Sequence, residues 1–243
     1  MTALFLAMLS VCCTLAVTAA EPAAPAPDAA APVLQQINAR ARHVSSFTAH
    51  FRQTSIDPTF DETDESSGRM FYLRHKPMDG QQSPTYSVRF DYLQPERSVT
   101  IMNPGKVILW QRGSAPQEHA VVDNLALRSL LAGLTSLDDL NEHFLVTVTS
   151  QSHAQVVLTL TPSSDIARRT FRGLFVTFDK RSWLPLIVQQ NKLNGERVIL
   201  HFEQPLVNRS IAPEVFTLAY LQRQVSAATT SKPKPAAAPP AKR

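Results

Sequence analysis

Residues 44–53 read VSSFTAHFRQ, and this stretch decides the fold because the hydrophobic period changes within it. In residues 33–44, apolar side chains recur with the spacing of an amphipathic helix. From Phe47 onward the period is two, so that Phe47, Ala49 and Phe51 share one face of a strand. The stretch therefore predicts a helix that leads directly into an amphipathic β-strand.

The rest of the domain continues as short strand-like segments separated by turns. Residues 86–92 alternate between apolar and polar, and the pairs Pro104-Gly105 and Asn194-Gly195 are typical of hairpin turns. The acidic residues within 57–65 predict a loop, and the leucines of 124–133 predict a short helix that continues through 134–140. The other segments with strand composition are 68–74, 99–102, 106–111, 144–149, 155–161, 174–179, 184–190 and 197–202.

These segments amount to about ten strands and two or three helices without βαβ alternation. The predicted fold class is mainly β, with a curved antiparallel sheet that forms an incomplete, half-open β-barrel and a few helices as a lid. The strands carry many large apolar residues on one face. Two interpretations stay open at this point, an ordinary core and an apolar cavity that accepts a hydrocarbon ligand.

The two ends of the chain differ in composition from the middle. Residues 1–20 predict a secretory signal peptide, because an apolar run is followed by small residues suited to cleavage. Residues 21–32 predict an Ala/Pro-rich linker, 33–222 one domain, and 223–243 a basic, disordered tail rich in Ala, Pro and Lys. A competing interpretation of the start is a lipoprotein signal in which Cys12 or Cys13 is lipidated.

Composition and motifs exclude several function classes. Both cysteines lie in the signal segment, which leaves the domain without thiol nucleophiles, disulfides or cysteine zinc sites. The whole-chain charge of +4 comes largely from the tail, which argues against a nucleic-acid-binding face. The seven glycines are dispersed, and neither G-x-S-x-G nor H-E-x-x-H occurs. We therefore expect no catalytic residue, metal or cofactor. An esterase whose Ser, His and Asp converge from separate strands remains an alternative.

Four segments resemble, in order, the periplasmic outer-membrane lipoprotein carrier proteins (the LolA family). Residues 47–53 match the family's F-x-A-x-F-x-Q strand, and 89–95 match R-W-x-Y-x-x-P with Phe in place of Trp. Residues 99–110 combine a strand, a Gly-Lys turn and a Trp-bearing strand, and 208–216 match N-x-x-I-x-x-x-x-F. The resemblance covers almost the whole domain.

The resemblance implies a monomeric, non-enzymatic periplasmic carrier that shields the acyl chains of lipoproteins. Its partners would be acylated lipoproteins, an inner-membrane ATP-driven lipoprotein-releasing transporter and an outer-membrane lipoprotein receptor, with no nucleic acid. The alternative is a related half-barrel that acts as a membrane-anchored lipoprotein receptor, a lipoprotein sensor or a glycolipid-binding module.

The same resemblance implies a set of lipid-binding residues. The family's lid-holding Arg-Pro is represented here by Lys76-Pro77, and Arg74 is an alternative to Lys76. The expected lining of the cavity is Phe47, Phe51, Phe90, Tyr92, Ile101 and Trp110, with Leu127, Leu130 and Leu131 on the lid.

Overall fold

The computed structural model describes residues 27–77, 85–120, 125 and 129–230. The strands in these ranges are β1 (Ser46–Asp57), β2 (Glu62–Arg74), β3 (Tyr86–Gln94), β4 (Ser98–Asn103), β5 (Lys106–Gln111), β6 (Gln117–Ala120), β7 (Phe144–Gln151), β8 (Gln155–Pro162), β9 (Phe171–Asp179), β10 (Pro185–Lys192) and β11 (Arg197–Val207). The helices are α1 (Pro27–Arg42), α2 (Asp138–Asn141), α3 (Asp165–Thr170), a 3₁₀ turn (Pro213–Phe216) and α4 (Leu218–Thr230).

The strands form one antiparallel sheet whose order is β6-β5-β4-β3-β2-β1-β11-β10-β9-β8-β7. Two runs of consecutive hairpins, β1 to β6 and β7 to β11, meet where β1 pairs with β11. β6 and β7 lie at the two edges, so the sheet is not closed into a barrel. The predicted mainly-β, half-open architecture is confirmed.

Strand register gives the sheet an inner and an outer face. Phe47 lies opposite Tyr72, which lies opposite Val88, so these side chains share the inner face. This face holds the larger core cluster, in which Ile37 of α1 and Leu131 are fully buried. α1 and residues 129–141 contribute to this cluster, and we call these two segments the cover.

Two helices extend beyond the predicted domain limits. α1 begins at Pro27, inside the expected linker 21–32, because Pro suits the first helical position and alanine has the highest helix propensity. α4 runs to Thr230, past the expected domain end at residue 222. Its apolar side chains recur at helical spacing and pack on the outer face.

Two local predictions differ from the structure. The loop predicted at 57–65 is shorter than expected and is limited to residues 58–61, because β1 ends at Asp57 and β2, which pairs with it, already begins at Glu62. The helix expected through 134–140 is interrupted, and only Asp138–Asn141 is helical there. Gly133 has φ +89°, a left-handed conformation that stops a right-handed helix, and a side chain there would overlap the Phe178 ring.

Among the described residues, no helix is both long and apolar enough to cross a membrane.

Candidate functional site

Three aromatic rings form a compact cluster on the inner face of β1 and β3. Phe51 meets Phe90 and Tyr92 edge to face, with ring centroids 5.5 and 5.1 Å apart. Phe90 and Tyr92 stack on the same strand at 6.4 Å. Phe51 and Phe90 are buried, whereas Tyr92 is half-buried. Alternation along the strands accounts for this grouping, since all three rings occupy inner positions.

Phe47 continues the apolar surface towards the centre of the sheet. Its ring meets Phe202 of β11 edge to face at 5.6 Å, and Phe47 is fully buried. Four of the five predicted aromatic residues, Phe47, Phe51, Phe90 and Tyr92, therefore lie on one continuous face.

The aromatic cluster has a polar end at Tyr92. The Tyr92 hydroxyl donates to Gln53 Oε1 at 3.1 Å, and Gln53 Nε2 donates to Ser55 Oγ at 3.2 Å. Burial raises the pKa of Tyr92 above its ordinary value. The side chain that completes the F-x-A-x-F-x-Q motif thus satisfies the one polar atom of the aromatic cluster.

The cover buries this face with leucine side chains. Leu130 and Leu131 are 8% and 0% exposed and belong to the same core cluster as the aromatic residues. Leu127 lies outside the described residues. Gln190 of β10 donates to Ser129 Oγ at 2.7 Å, a buried polar contact that ties the cover to the sheet. The predicted lid leucines Leu130 and Leu131 therefore belong to the cover that buries the inner face.

Arg74, at the end of β2, connects the sheet to both parts of the cover. Its Nη2 donates to the carbonyl oxygen of Ala41 at 2.7 Å and of Leu134 at 3.4 Å, and its Nη1 donates to that of Arg42 at 3.0 Å. The planar guanidinium carries five N–H donors in a fixed fork, so this one side chain can bond several carbonyl oxygens at once. Arg74 follows Met70 and Tyr72 on the inner face, and this alternation is the signal that identifies it.

Lys76, the other predicted lid-holding residue, is exposed and has no hydrogen bond or ion pair with any described residue. Arg74 makes the contacts that were expected of Lys76. β2 ends at Arg74, so Lys76 lies beyond the strand and its side chain is not held on the inner face by the alternation of the strand.

Asn208 holds the other end of the helix-to-strand junction. Its Oδ1 accepts from Ser45 N at 2.9 Å and from Ser45 Oγ at 3.0 Å, and its Nδ2 donates to His43 O at 3.0 Å. Asn208 has φ +57°, a conformation that asparagine tolerates better than most residues. The asparagine of the closing motif therefore fixes α1 relative to β1.

Ile101 and Trp110 do not share the inner face, contrary to expectation. Ile101 pairs with Arg89 and Ile108, and Trp110 pairs with Val99, all on the outer face. There they form a second apolar cluster with the 3₁₀ turn and α4. The outer face is apolar here because a helix covers it, so apolar character alone did not distinguish the two faces.

Arg89 is a residue of the outer face whose role sequence reasoning missed. It is 4% exposed, its Nε donates to Asp91 Oδ1 at 2.6 Å, and its Nη1 donates to Val215 O at 2.7 Å. Its Nη2 donates to Gln224 Oε1 at 2.7 Å. One buried cation thus fixes the 3₁₀ turn and α4 to the sheet.

Within the described part of the chain, no group of three His, Cys, Asp or Glu side chains is placed to hold a metal ion.

The described chain is an open antiparallel sheet whose apolar inner face is covered by α1 and residues 129–141. The sequence matches the family of the outer membrane lipoprotein carrier protein LolA over residues 42–219. The chain belongs to this family of lipoprotein-binding, carrier-like proteins.

Solved structures with a similar fold have low sequence identity to this chain. MucB, also solved as the Pseudomonas aeruginosa MucA/MucB complex, is 17% identical, with a TM-score of 0.46 over 79% of this chain and 64% of MucB. The chain thus covers less than two thirds of MucB. A putative outer membrane lipoprotein-sorting protein domain from Vibrio parahaemolyticus is 12% identical, with a TM-score of 0.44 over 81% and 99% of the two chains. A LolA superfamily protein from Nitrosomonas europaea is 13% identical, with a TM-score of 0.39 over 77% and 98%. No curated protein matches the chain.

Proposed function

We propose that this protein is a periplasmic carrier that shields the acyl chains of lipoproteins between the inner and the outer membrane. The observation that carries the proposal is a buried inner face of aromatic residues whose leucine-bearing cover is tied to β2 by one guanidinium. A face of this kind offers hydrocarbon contact, and its cover can separate from it without breaking a strand pair.

The proposed lipid lining is the inner face alone. Phe47, Phe51, Phe90 and Tyr92 form its floor, and Leu130 and Leu131 form its cover. All six residues belong to or pack against one core cluster, so acyl chains would enter only when the cover moves away and would take its place against the rings. Arg74 sets part of the cost of that movement, because its bonds to three carbonyls must break.

The energetics of acyl burial determine how cargo would leave. Each buried CH₂ contributes about 0.8 kcal/mol, so a chain of about sixteen carbons contributes about 13 kcal/mol. Release into water is too slow at that cost. Cargo would therefore be transferred directly from one apolar surface to another. The resemblance to the lipoprotein carrier family implies that it arrives from an inner-membrane ATP-driven transporter and passes to an outer-membrane lipoprotein receptor.

Co-purification tests the proposal. We expect Leu130→Glu to lose acylated lipoproteins that the wild-type protein retains when it is isolated from its native periplasm, because a carboxylate would be buried against the acyl chains. Leu145→Glu is the matched control, since Leu145 is 62% exposed on the outer face of β7. Mass spectrometry of the bound material provides the readout.

Three outcomes would overturn the proposal. Undiminished cargo on the Leu130→Glu variant would contradict the cover assignment. A cavity filled with glycolipid would indicate a glycolipid-binding module instead. A mature N-terminus lipidated at Cys12 or Cys13 would indicate an anchored receptor, whereas cleavage near residue 20 supports the carrier.

A further inference from the structure

We propose a second ligand site on the outer face, one that binds a single-chain anionic amphiphile such as a fatty acid carboxylate. A cavity of about 440 Å³ lies there between α4 and strands β3, β4 and β5. This volume falls within the range of small-ligand sites, about 300–1,000 Å³. Tyr92 of the inner face borders this cavity at the end of β3, whereas its apolar walls belong to the outer face, and the proposal does not rest on the carrier function.

The walls of this cavity are suited to a hydrocarbon chain. Val99 and Trp110 line it from the sheet, and Leu221 and Val225 line it from α4. The Trp110 indole N–H already donates to Ser114 O at 3.0 Å, so the ring needs no polar partner from a ligand. A chain placed against these side chains would gain about 0.8 kcal/mol for each CH₂ removed from water.

The charges around the cavity select an anion. Arg89 and Asp91 also line it, but they neutralise each other in a 2.6 Å ion pair. Arg69 and Arg97, which are exposed, have no side-chain hydrogen bond or ion pair with any described residue. Two uncompensated cations next to an apolar slot match a carboxylate head with one alkyl tail, and they disfavour a cationic amphiphile.

The two tryptophans allow ligand binding at the outer cavity to be measured in the full chain. Trp110 lies at the outer cavity, whereas Trp183 packs against the core cluster of the inner face. Protein labelled with 5-fluorotryptophan gives two ¹⁹F signals, which Trp110→Phe and Trp183→Phe variants assign. We expect dodecanoate, below its micelle concentration, to shift the Trp110 signal in a saturable manner and to leave the Trp183 signal in place.

Charge variants test the chemistry of recognition. The double variant Arg69→Gln/Arg97→Gln should bind dodecanoate at least about tenfold more weakly and dodecanol unchanged. Arg168→Gln/Arg169→Gln removes the same charge from α3, on the other half of the sheet, and should leave both affinities unchanged. Circular dichroism and the melting temperature establish that each variant is folded.

Several results would overturn the site. One is a Trp110 signal that does not move at saturating dodecanoate. Others are equal weakening in the two double variants, or a response to dodecyltrimethylammonium as strong as that to dodecanoate. A shift of Trp183 without Trp110 would place the fatty acid on the inner face instead.

Discussion

The ring of Phe51 on β1 extends over Gly68, its partner on β2, where no side chain competes with it for space. A methyl group at position 68 would lie 3.0 Å from Phe51 Cε1 and would overlap the carbonyl oxygen of Asp91. The aromatic cluster of the inner face therefore depends on a glycine in the neighbouring strand.

We expect Gly68→Ala to lower the free energy of unfolding by about 1–3 kcal/mol, because backbone and ring must both shift. Gly173→Ala is the control in another strand, where the added carbon would make an ordinary 3.7 Å contact with Leu160 O. Urea denaturation measures both variants. Equal stability of the two would contradict the close approach at Gly68.

Arg74→Leu should lower the free energy of unfolding by about 2 kcal/mol, because hydrogen bonds from a charged donor are lost. It should also speed amide exchange at Leu134 and quicken uptake of a fluorescent long-chain acyl probe, because the cover opens more readily. Lys76→Leu, two residues away, should change none of these. Hydrogen exchange by mass spectrometry and stopped-flow fluorescence provide the readouts, and a larger effect at Lys76 would refute the assignment.

Asn208 allows its side-chain bonds to be separated from its backbone conformation. Asn208→Gly keeps the positive φ but loses three hydrogen bonds, and should cost about 2 kcal/mol of unfolding free energy. Asn208→Ala loses the same bonds and also places alanine in a left-handed conformation, so its free energy of unfolding should be lower by about a further 1 kcal/mol. Chemical denaturation of the pair tests this order, and identical losses would show that φ contributes nothing.

Stability should fall at alkaline pH because burial raises the pKa of Tyr92 and of Tyr72. Their contribution is complete below the unfolded pKa of about 10 and is lost as the pH rises from there through the raised folded pKa. Tyr92→Phe should therefore make the free energy of unfolding fall less steeply above about pH 10. At neutral pH the variant should be about 1 kcal/mol less stable than the wild type, because it lacks the hydrogen bond to Gln53. Parallel stability curves for variant and wild type would refute this.

Much of the sheet could be predicted from alternation within single strands. Phe47 and Phe51, and likewise Phe90 and Tyr92, share a face wherever their strands form. Which side chains of a neighbouring strand point to the inner face depends on how that strand is registered with the first one and on what covers each side of the sheet. β4 carries Ile101 outwards and Met102 inwards, both buried, so its sequence has no amphipathic signal.

The missed features depend on contacts between distant parts of the chain. Nothing near Arg89 in sequence indicates Val215 or Gln224, which are 126 and 135 residues away. α4 could have been recognised, since Leu218, Leu221 and Val225 have helical spacing, but the Ala/Pro-rich composition beyond it obscured that pattern. Arg74 could likewise have been chosen over Lys76 by continuing the alternation from Tyr72.

The order of the strands places the described segment 129–141 of the cover next to an edge strand, because β7, which follows it in the chain, pairs with β8 alone. This segment is covalently attached to the sheet that it covers. Loop-closure entropy grows only slowly with length, so a detached cover segment stays at high local concentration beside the inner face. Its displacement is consequently an intramolecular and reversible event, and no hydrogen bond between strands has to be exchanged for it.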